Sequence, residues 1–185
     1  MDEVVSLPIF NETWRVWTVP NEDEEVWDLI SSGCLAELGL DRADVAVVLG
    51  DRNGVFATWL LEIGSAHVWV VNDSPTRCFN RNLLGRGGVT AVERNPIGAM
   101  AEIIHQAVPS VIVFAVPGIE PNDLMWDALK GERTHDRFVI MHTQGAHDQV
   151  LASMMRWEAD RGIPEDDRWT EIPCRQSDHG LMLFR

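Results

Sequence analysis

The sequence has few cysteines and no long apolar segment, and both shortages restrict the class of protein. Cys34, Cys78 and Cys174 are widely spaced and odd in number, which fits neither a disulfide framework nor a zinc site. No run approaches the roughly 20 apolar residues that a membrane-spanning helix needs, and residues 1–20 lack the basic start and apolar stretch of a secretory signal. We therefore expect a soluble protein of the reducing cytoplasm, with no metal site and no membrane partner.

Basic residues are scarce as well: the chain has 15 Lys and Arg against 29 Asp and Glu, for a net charge of −14. Nucleic-acid binding depends on Lys and Arg that neutralise phosphates, so this composition predicts no nucleic-acid partner. Much of the acid lies in the segments NEDEEVWD and WEADRGIPEDDRW, which are typical of solvated helix ends and loops. The composition leaves the oligomeric state open.

Short apolar runs, rich in β-branched residues, recur along the chain. Each is nearly continuous in hydrophobicity, as strands of a parallel sheet are when both faces are buried. The runs are VAVVL (45–49), HVWVVN (67–72), GVTAV (88–92), SVIVFAV (110–116) and RFVIMH (137–142). Segments with apolar residues at helical spacing separate them, which predicts crossover helices.

The two ends of the chain complete this arrangement. EDEEVWDLISSGCLAELGL predicts a leading helix with acids in its first turn, so residues 1–40 are interpreted as an N-terminal extension with that helix. After the last parallel strand, AHDQVLASMMRWEADRG predicts a longer helix, and RWTEIP and GLMLFR predict two strands of a hairpin. The expected fold is α/β: one domain over residues 1–185, with a core over 41–185 built on a doubly wound, mostly parallel seven-stranded sheet that ends in an antiparallel hairpin.

A turn with two glycines follows the first parallel strand, in VVLGDRNGVF (47–56). Gly50 would let the chain leave the strand sharply, and Gly54 would open the next helix without a side chain to block a ligand from its N–H groups. Ligands of open α/β sheets bind beyond the carboxyl ends of the strands. From these residues alone, a structural turn and a cofactor site are both open.

The longer stretch VAVVLGDRNGVFATWLLEIGSAHVWVVNDSPTRCFNRNLLGRGGV resembles the core of class I S-adenosylmethionine-dependent methyltransferases, particularly the ribosomal-protein and release-factor groups. HTQGAHDQVLASM after the fifth parallel strand is also similar to the ribosomal-protein group. The resemblance implies a Rossmann-like fold and S-adenosylmethionine as cofactor. It also implies that Gly50 and Gly54 border the methionine part of the cofactor, that the strand end with Asn72 and Asp73 holds the ribose hydroxyls, and that Glu93 lies near the adenine. Asp51 is a further expected cofactor contact.

The sequence departs from this family at three of the expected cofactor positions. Val48 replaces an acid and Arg52 replaces the middle glycine; Arg52 either points to solvent or occupies part of the cofactor's space. Asn72 aligns with the acid that holds the ribose, and Asp73 follows it. Either residue is therefore a candidate for the ribose, and Asp73 is the slightly favoured one.

Candidates on the substrate side lie after the fourth and fifth parallel strands. FAVPG, with Pro117, replaces the Asn-Pro-Pro-Tyr type of motif, and Trp126 either covers a substrate or packs in the core. His142 and His147 either accept a proton from the nucleophile or serve as surface or helix-capping residues.

These features predict an S-adenosylmethionine-dependent methyltransferase that acts on a small molecule or a protein side chain. No catalytic residue is assigned, because methyl transfer needs mainly the alignment of the reactants. The alternative is a catalytically degenerate methyltransferase-like protein that acts as a binding or regulatory partner. A dinucleotide-dependent oxidoreductase fits the GDRNG spacing less well, and no nucleophile elbow indicates a hydrolase.

Overall fold

A computed structural model describes residues 3–9, 12–19, 44–63, 65–115, 122–131, 137–141, 147–172 and 181–184. The predicted leading helix, Cys34, Cys174, Pro117 and His142 lie outside these residues. The strands are β1 (Glu3–Ile9), β2 (Glu12–Thr18), β3 (Val45–Leu49), β4 (His67–Asn72), β5 (Val89–Glu93), β6 (Val111–Phe114), β7 (Arg137–Met141), β8 (Glu171–Ile172) and β9 (Leu181–Phe184). The helices are α1 (Val55–Ile63), α2 (Arg77–Leu83), α3 (Pro96–Ala107), α4 (Asp123–Gly131) and α5 (His147–Asp160).

The main sheet has the strand order β5-β4-β3-β6-β7-β9-β8. Strands β3 to β7 pair in parallel, and β9 pairs antiparallel with both β7 and β8. The predicted α/β fold with a parallel sheet is confirmed. The chain runs outward from β3 through β4 to β5, then returns to place β6 on the other side of β3, so the switch in strand order lies between β3 and β6. In open sheets of this kind, ligands bind at the carboxyl ends of the strands beside that switch.

The apolar runs form strands because both faces of the sheet are covered. Alternate residues of β3 point to opposite sides: Val48 belongs to a cluster with α1 and α2, and Leu49 to a cluster with α3, α4 and α5. Burial on both sides explains why these runs read as continuously hydrophobic. Among the described helices, none has the length and apolar character needed to cross a membrane.

The N-terminal extension contains structure that the sequence analysis missed. Strands β1 and β2 pair antiparallel in a two-stranded sheet, with Glu3 opposite Thr18 and Ile9 opposite Glu12. Val16 of β2 is fully buried in the cluster formed with α1 and α2. The hairpin therefore belongs to the packed fold. The available signal was the pair of segments EVVSLPI and ETWRVWT, rich in the β-branched and aromatic residues that favour strands.

Candidate functional site

The glycine turn lies at the carboxyl end of the central strand β3. Gly50 has φ 87° and Gly54 has φ 70°, both in the left-handed region that glycine adopts without steric cost. The Gly50 N–H donates to the Val71 carbonyl at 2.8 Å, which ties the start of the turn to β4. The turn thus leaves β3 beside the strand switch, where the sequence analysis placed the cofactor.

The three successive carbonyls of the turn all accept hydrogen bonds from the neighbouring strand end and helix. The Asp51 carbonyl accepts from Asn72 Nδ2 at 3.1 Å, and the Arg52 carbonyl accepts from the Thr76 N–H at 3.1 Å. The Asn53 carbonyl accepts from Asn82 Nδ2 at 2.7 Å. Two side-chain amides and one backbone N–H therefore fix a turn that lacks the family's middle glycine.

Two side chains of the turn also face inward. Asp51 is 3% exposed, and its Oδ2 accepts the Ala57 N–H at 2.8 Å, which satisfies one of the donors at the start of α1. Asn53 Oδ1 accepts from the Thr76 hydroxyl at 2.6 Å, and the same hydroxyl oxygen caps the first turn of α2. The position of Asp51 gives it a clear structural role at the helix start.

Gly54 is needed for a reason that the sequence did not reveal. A Cβ at this position would lie 2.9 Å from Leu83 Cδ1 and 3.3 Å from Phe79 Cδ2 of helix α2. The missing side chain therefore makes room for the packing of α2 against α1. The expectation that Gly54 also leaves space for a ligand stays a prediction.

Asn72 and Asp73 are adjacent at the end of β4 but have opposite surroundings. Asn72 is 2% exposed; besides its bond to the turn, its Oδ1 accepts the Ser74 N–H at 3.0 Å. Asp73 is exposed, and its Oδ1 accepts from the Ser74 hydroxyl at 2.9 Å. Glu93, at the end of the neighbouring strand β5, is exposed and in register with Asn72. Two exposed carboxylates thus lie at consecutive strand ends beside the turn.

Arg52 is an exposed residue of the turn. Its Nε lies 3.4 Å from the Ser74 carbonyl, within hydrogen-bonding geometry. The side chain therefore extends over the loop that follows β4, in contact with solvent.

The substrate-side candidates occupy other surroundings. Trp126 of α4 is 1% exposed, packs edge-on against Phe138 and donates from Nε1 to Ser153 Oγ at 3.1 Å. Trp126 therefore packs in the core, which is the second of its two alternatives. His147 begins α5, and its Nε2 lies 2.8 Å from Glu171 Oε1 of β8. The hydrogen bond to Glu171 raises the pKa of His147, while burial opposes that shift.

The described residues form no metal site, and they form a shallow groove elsewhere on the surface. No group of three or more His, Cys, Asp or Glu residues could hold a metal ion in the part of the chain that the structure describes. A shallow groove of about 420 Å³ is lined by residues that include Ser65, Ala66, Arg86 and Gly88. Because Ala66 and Gly88 directly precede β4 and β5, this groove lies at the amino end of the strands, opposite the glycine turn.

The chain is similar in fold to solved structures, but its sequence matches no family model and no curated protein. Three solved structures illustrate the shared fold, all at low sequence identity. An RsmC 16S rRNA methyltransferase of T. thermophilus, in complex with AdoMet and guanosine, has a TM-score of 0.63 at 12% identity, over 99% of this chain and 49% of its own. A SAM-dependent methyltransferase of Agrobacterium tumefaciens has 0.60 at 11%, over 85% and 59%. An rRNA methylase of Streptococcus thermophilus has 0.52 at 18%, over 84% and 92%.

The chain therefore has a class I methyltransferase-like fold, as the resemblance in sequence implied. It spans about half of the T. thermophilus chain and about three fifths of the Agrobacterium chain. At these identities the likeness establishes the fold alone.

The expectation that nucleic acid is excluded as a partner is wrong. Two of the three structures that share the fold are enzymes of rRNA, so the fold itself is compatible with such a partner. The inference used the net charge of the whole chain, whereas exposed charges act over a Debye length of about 8 Å. Arg52, Arg77 and Arg81 are exposed around the turn, where Asp73 and Glu93 are exposed as well, and the total of −14 does not describe how these charges are distributed.

Proposed function

We propose that this protein is an S-adenosylmethionine-dependent methyltransferase that binds its cofactor at the carboxyl ends of β3, β4 and β5. The observation that carries the proposal is the glycine turn itself. It lies beside the strand switch, has two residues at positive φ, and has each carbonyl from Asp51 to Asn53 hydrogen-bonded. A backbone fixed in this way is preorganised for a ligand and needs no ordering on binding.

The exposed carboxylates of Asp73 and Glu93 support an assignment of the parts of the cofactor to successive strand ends. Asp73 is suited to the ribose, because a carboxylate accepts hydrogen bonds from two hydroxyl groups and charge-assisted bonds are the stronger kind. The amide of Asn72 already bonds within the protein at both ends. Glu93, one strand further out, is suited to the adenine, and the turn from Gly50 to Gly54 to the methionine part.

S-Adenosylmethionine supplies a methyl group on a sulfonium, which an attacking nucleophile of the acceptor takes while S-adenosylhomocysteine leaves. The protein's contribution to such a displacement is chiefly to hold the reacting atoms in line in a site from which water is excluded. This role needs few obligatory side chains, so the proposal assigns no catalytic base.

RNA is the acceptor class that we propose, with a small molecule or a protein side chain as the second candidate. The RNA proposal is supported by the rRNA enzymes that share the fold and by three exposed arginines beside the turn. The Thr76 N–H bonds the Arg52 carbonyl, so Arg52 lies next to the start of α2, where Arg77 and Arg81 are one helical turn apart and exposed.

Calorimetric titration tests the cofactor part of the proposal. S-Adenosylmethionine and S-adenosylhomocysteine should bind, whereas NAD should not. S-Adenosylhomocysteine at 100 times its dissociation constant should add about 2.7 kcal/mol to the free energy of unfolding. No heat and no thermal shift at millimolar S-adenosylhomocysteine would contradict cofactor binding. If the cofactor binds but no methyl group is transferred to RNA, protein or small molecules, the result would favour the alternative, a catalytically degenerate protein that acts as a binding or regulatory partner.

RNA binding can be tested separately with a single-stranded oligonucleotide. The double substitution Arg77→Gln, Arg81→Gln should weaken binding and reduce the slope of log K against log salt concentration by about 0.7 for each phosphate that the variant no longer neutralises. Arg156→Gln is the matched control, because Arg156 is an exposed arginine on α5, on the opposite face of the sheet from α2. Equally weakened binding in both variants would speak against RNA at this face and for the second acceptor class.

A further inference from the structure

The N-terminal hairpin packs against the two helices that follow the glycine turn and the end of β4. Strand β2 contacts both α1 and α2. Val16 is fully buried in one cluster with residues of both helices, including Phe56, Phe79 and Leu83. On the outer side, the guanidinium of Arg81 lies 4.3 Å from the centre of the Trp17 ring. The hairpin thus covers the same helices on which the turn depends.

One buried amide joins the hairpin to the turn. Asn82 of α2 is 4% exposed. Its Oδ1 accepts the Trp17 N–H at 2.8 Å, and its Nδ2 donates to the Trp17 carbonyl at 2.8 Å and to the Asn53 carbonyl at 2.7 Å. An amide nitrogen has two protons, so one is used on the hairpin and the other on the turn.

The second of these bonds acts on the peptide group that leads into α1. The Asn53 carbonyl and the Gly54 N–H belong to the same peptide. Its carbonyl is held by Asn82, and its N–H donates to the Asp51 carbonyl at 3.2 Å. The orientation of this peptide sets the φ of Gly54 and hence the direction in which the turn presents its backbone to a ligand.

We propose that the N-terminal hairpin stabilises the turn at the cofactor site, and that Asn82 is the positioning residue that couples the hairpin to the turn. Asn82 touches no ligand in this scheme; it acts through the peptide between Asn53 and Gly54. The inference rests on the proposed binding of the cofactor at the turn. Because coupling between two equilibria is reciprocal, a ligand at the turn should also hold β2 more firmly against α2.

The test compares Asn82→Asp with Asn80→Asp. In Asn82→Asp, the new carboxylate would keep an acceptor for the Trp17 N–H but would have neither amide proton, so the carbonyls of Trp17 and Asn53 would face a negative charge. Asn80 is exposed on the same helix, so its variant makes the same change of charge without touching the turn. S-Adenosylhomocysteine affinity is measured by calorimetry at a temperature where circular dichroism shows each variant folded. We expect binding at least ten-fold weaker for Asn82→Asp and close to wild type for Asn80→Asp.

Hydrogen exchange gives a readout that a merely structural role would not change. In the wild-type protein, saturating S-adenosylhomocysteine should slow the exchange of the Trp17 amide, and Asn82→Ala should remove this protection. Unchanged affinity in a folded Asn82→Asp would overturn the proposal. If that variant does not fold, an unchanged Trp17 amide in ligand-saturated wild type overturns it equally.

Failure of the proposed function gives a different pattern. If wild type binds no S-adenosylhomocysteine, the cofactor assignment fails, and the coupling is then tested without ligand. Asn82→Ala should speed exchange of the Trp17 and Gly54 amides together. Exchange of the Gly54 amide at the wild-type rate would show that the hairpin and the turn are independent.

Discussion

The two halves of the sheet use their polar side chains differently. In the half built from β3, β4 and β5, buried amides bond to the backbone of the turn, as Asn72 and Asn82 do. In the half built from β6, β7 and β8, the described polar contacts tie one element to another, as Trp126 ties α4 to α5 and His147 ties α5 to β8. The first pattern fixes the backbone of the turn at which we propose the cofactor binds, whereas the second connects helices and strands. The comparison therefore predicts that polar substitutions in the first half affect binding and those in the second affect stability alone.

The largest effect is expected for Gly54→Val, which adds a side chain where α2 packs closely against the start of α1. The side chain would meet Leu83 at 2.9 Å in a conformation with φ 70°. Left-handed backbone costs about 1–2 kcal/mol, and overpacking typically adds about 1–3 kcal/mol. Chemical denaturation should show a loss of about 3 kcal/mol in the free energy of unfolding.

Gly85→Ala is the matched control for that substitution. Gly85 has φ 78° but no atom within 4 Å of its added Cβ, so only the backbone cost of about 1–2 kcal/mol applies. Equal destabilisation by the two variants would show that Gly54 serves the turn's conformation and not the packing of α2 on α1.

Asn72→Asp should have the next largest effect. The aspartate cannot donate to the Asp51 carbonyl, which would then lie beside a buried carboxylate instead of Nδ2. The Asp51 carbonyl keeps its hydrogen bond from the Gly54 N–H, but the loss of the Asn72 amide as a donor and the nearby buried carboxylate cost about 1–3 kcal/mol. We expect a loss of about 2 kcal/mol in unfolding free energy and weaker binding of S-adenosylhomocysteine. Tighter binding, as the alignment with the family's acid would suggest, would place the ribose at this residue.

Asp73→Asn tests the residue next to Asn72, where we expect an effect on binding without an effect on stability. Asp73 is exposed, and its described hydrogen bond is a local one to Ser74, so its replacement should leave the unfolding free energy unchanged. Loss of a charge-assisted bond to the ribose should weaken S-adenosylhomocysteine binding about ten-fold, equivalent to about 1.4 kcal/mol. Calorimetric titration measures this, and unchanged affinity would remove Asp73 from the proposed site.

The sequence predicted the parallel strands well because burial on both faces leaves a continuous apolar run, as in β3. It missed the hairpin of β1 and β2, which lies outside the main sheet and whose first strand contains Pro8, a residue that weakens a strand prediction. The position of the glycine turn followed from local sequence. The role of Asn82 did not, because its partner Trp17 is 65 residues away and nothing in the neighbourhood of either residue indicates the contact.

The smallest effect belongs to the second half, where the bond between His147 and Glu171 should respond to pH. The hydrogen bond to Glu171 raises the pKa of His147 above its ordinary value of 6.5. The stabilisation is therefore fully present below pH 6.5 and is lost as pH rises through the raised pKa of the folded state. Both side chains are about one third exposed, so solvent screening limits the contribution to less than about 1 kcal/mol. The difference in unfolding free energy between wild type and His147→Gln should be larger at about pH 6, where carboxylates are ionised, than at about pH 9. A His147 variant that changes S-adenosylhomocysteine affinity at constant stability would break the distinction between the two halves, because it would give this residue a role at the ligand edge.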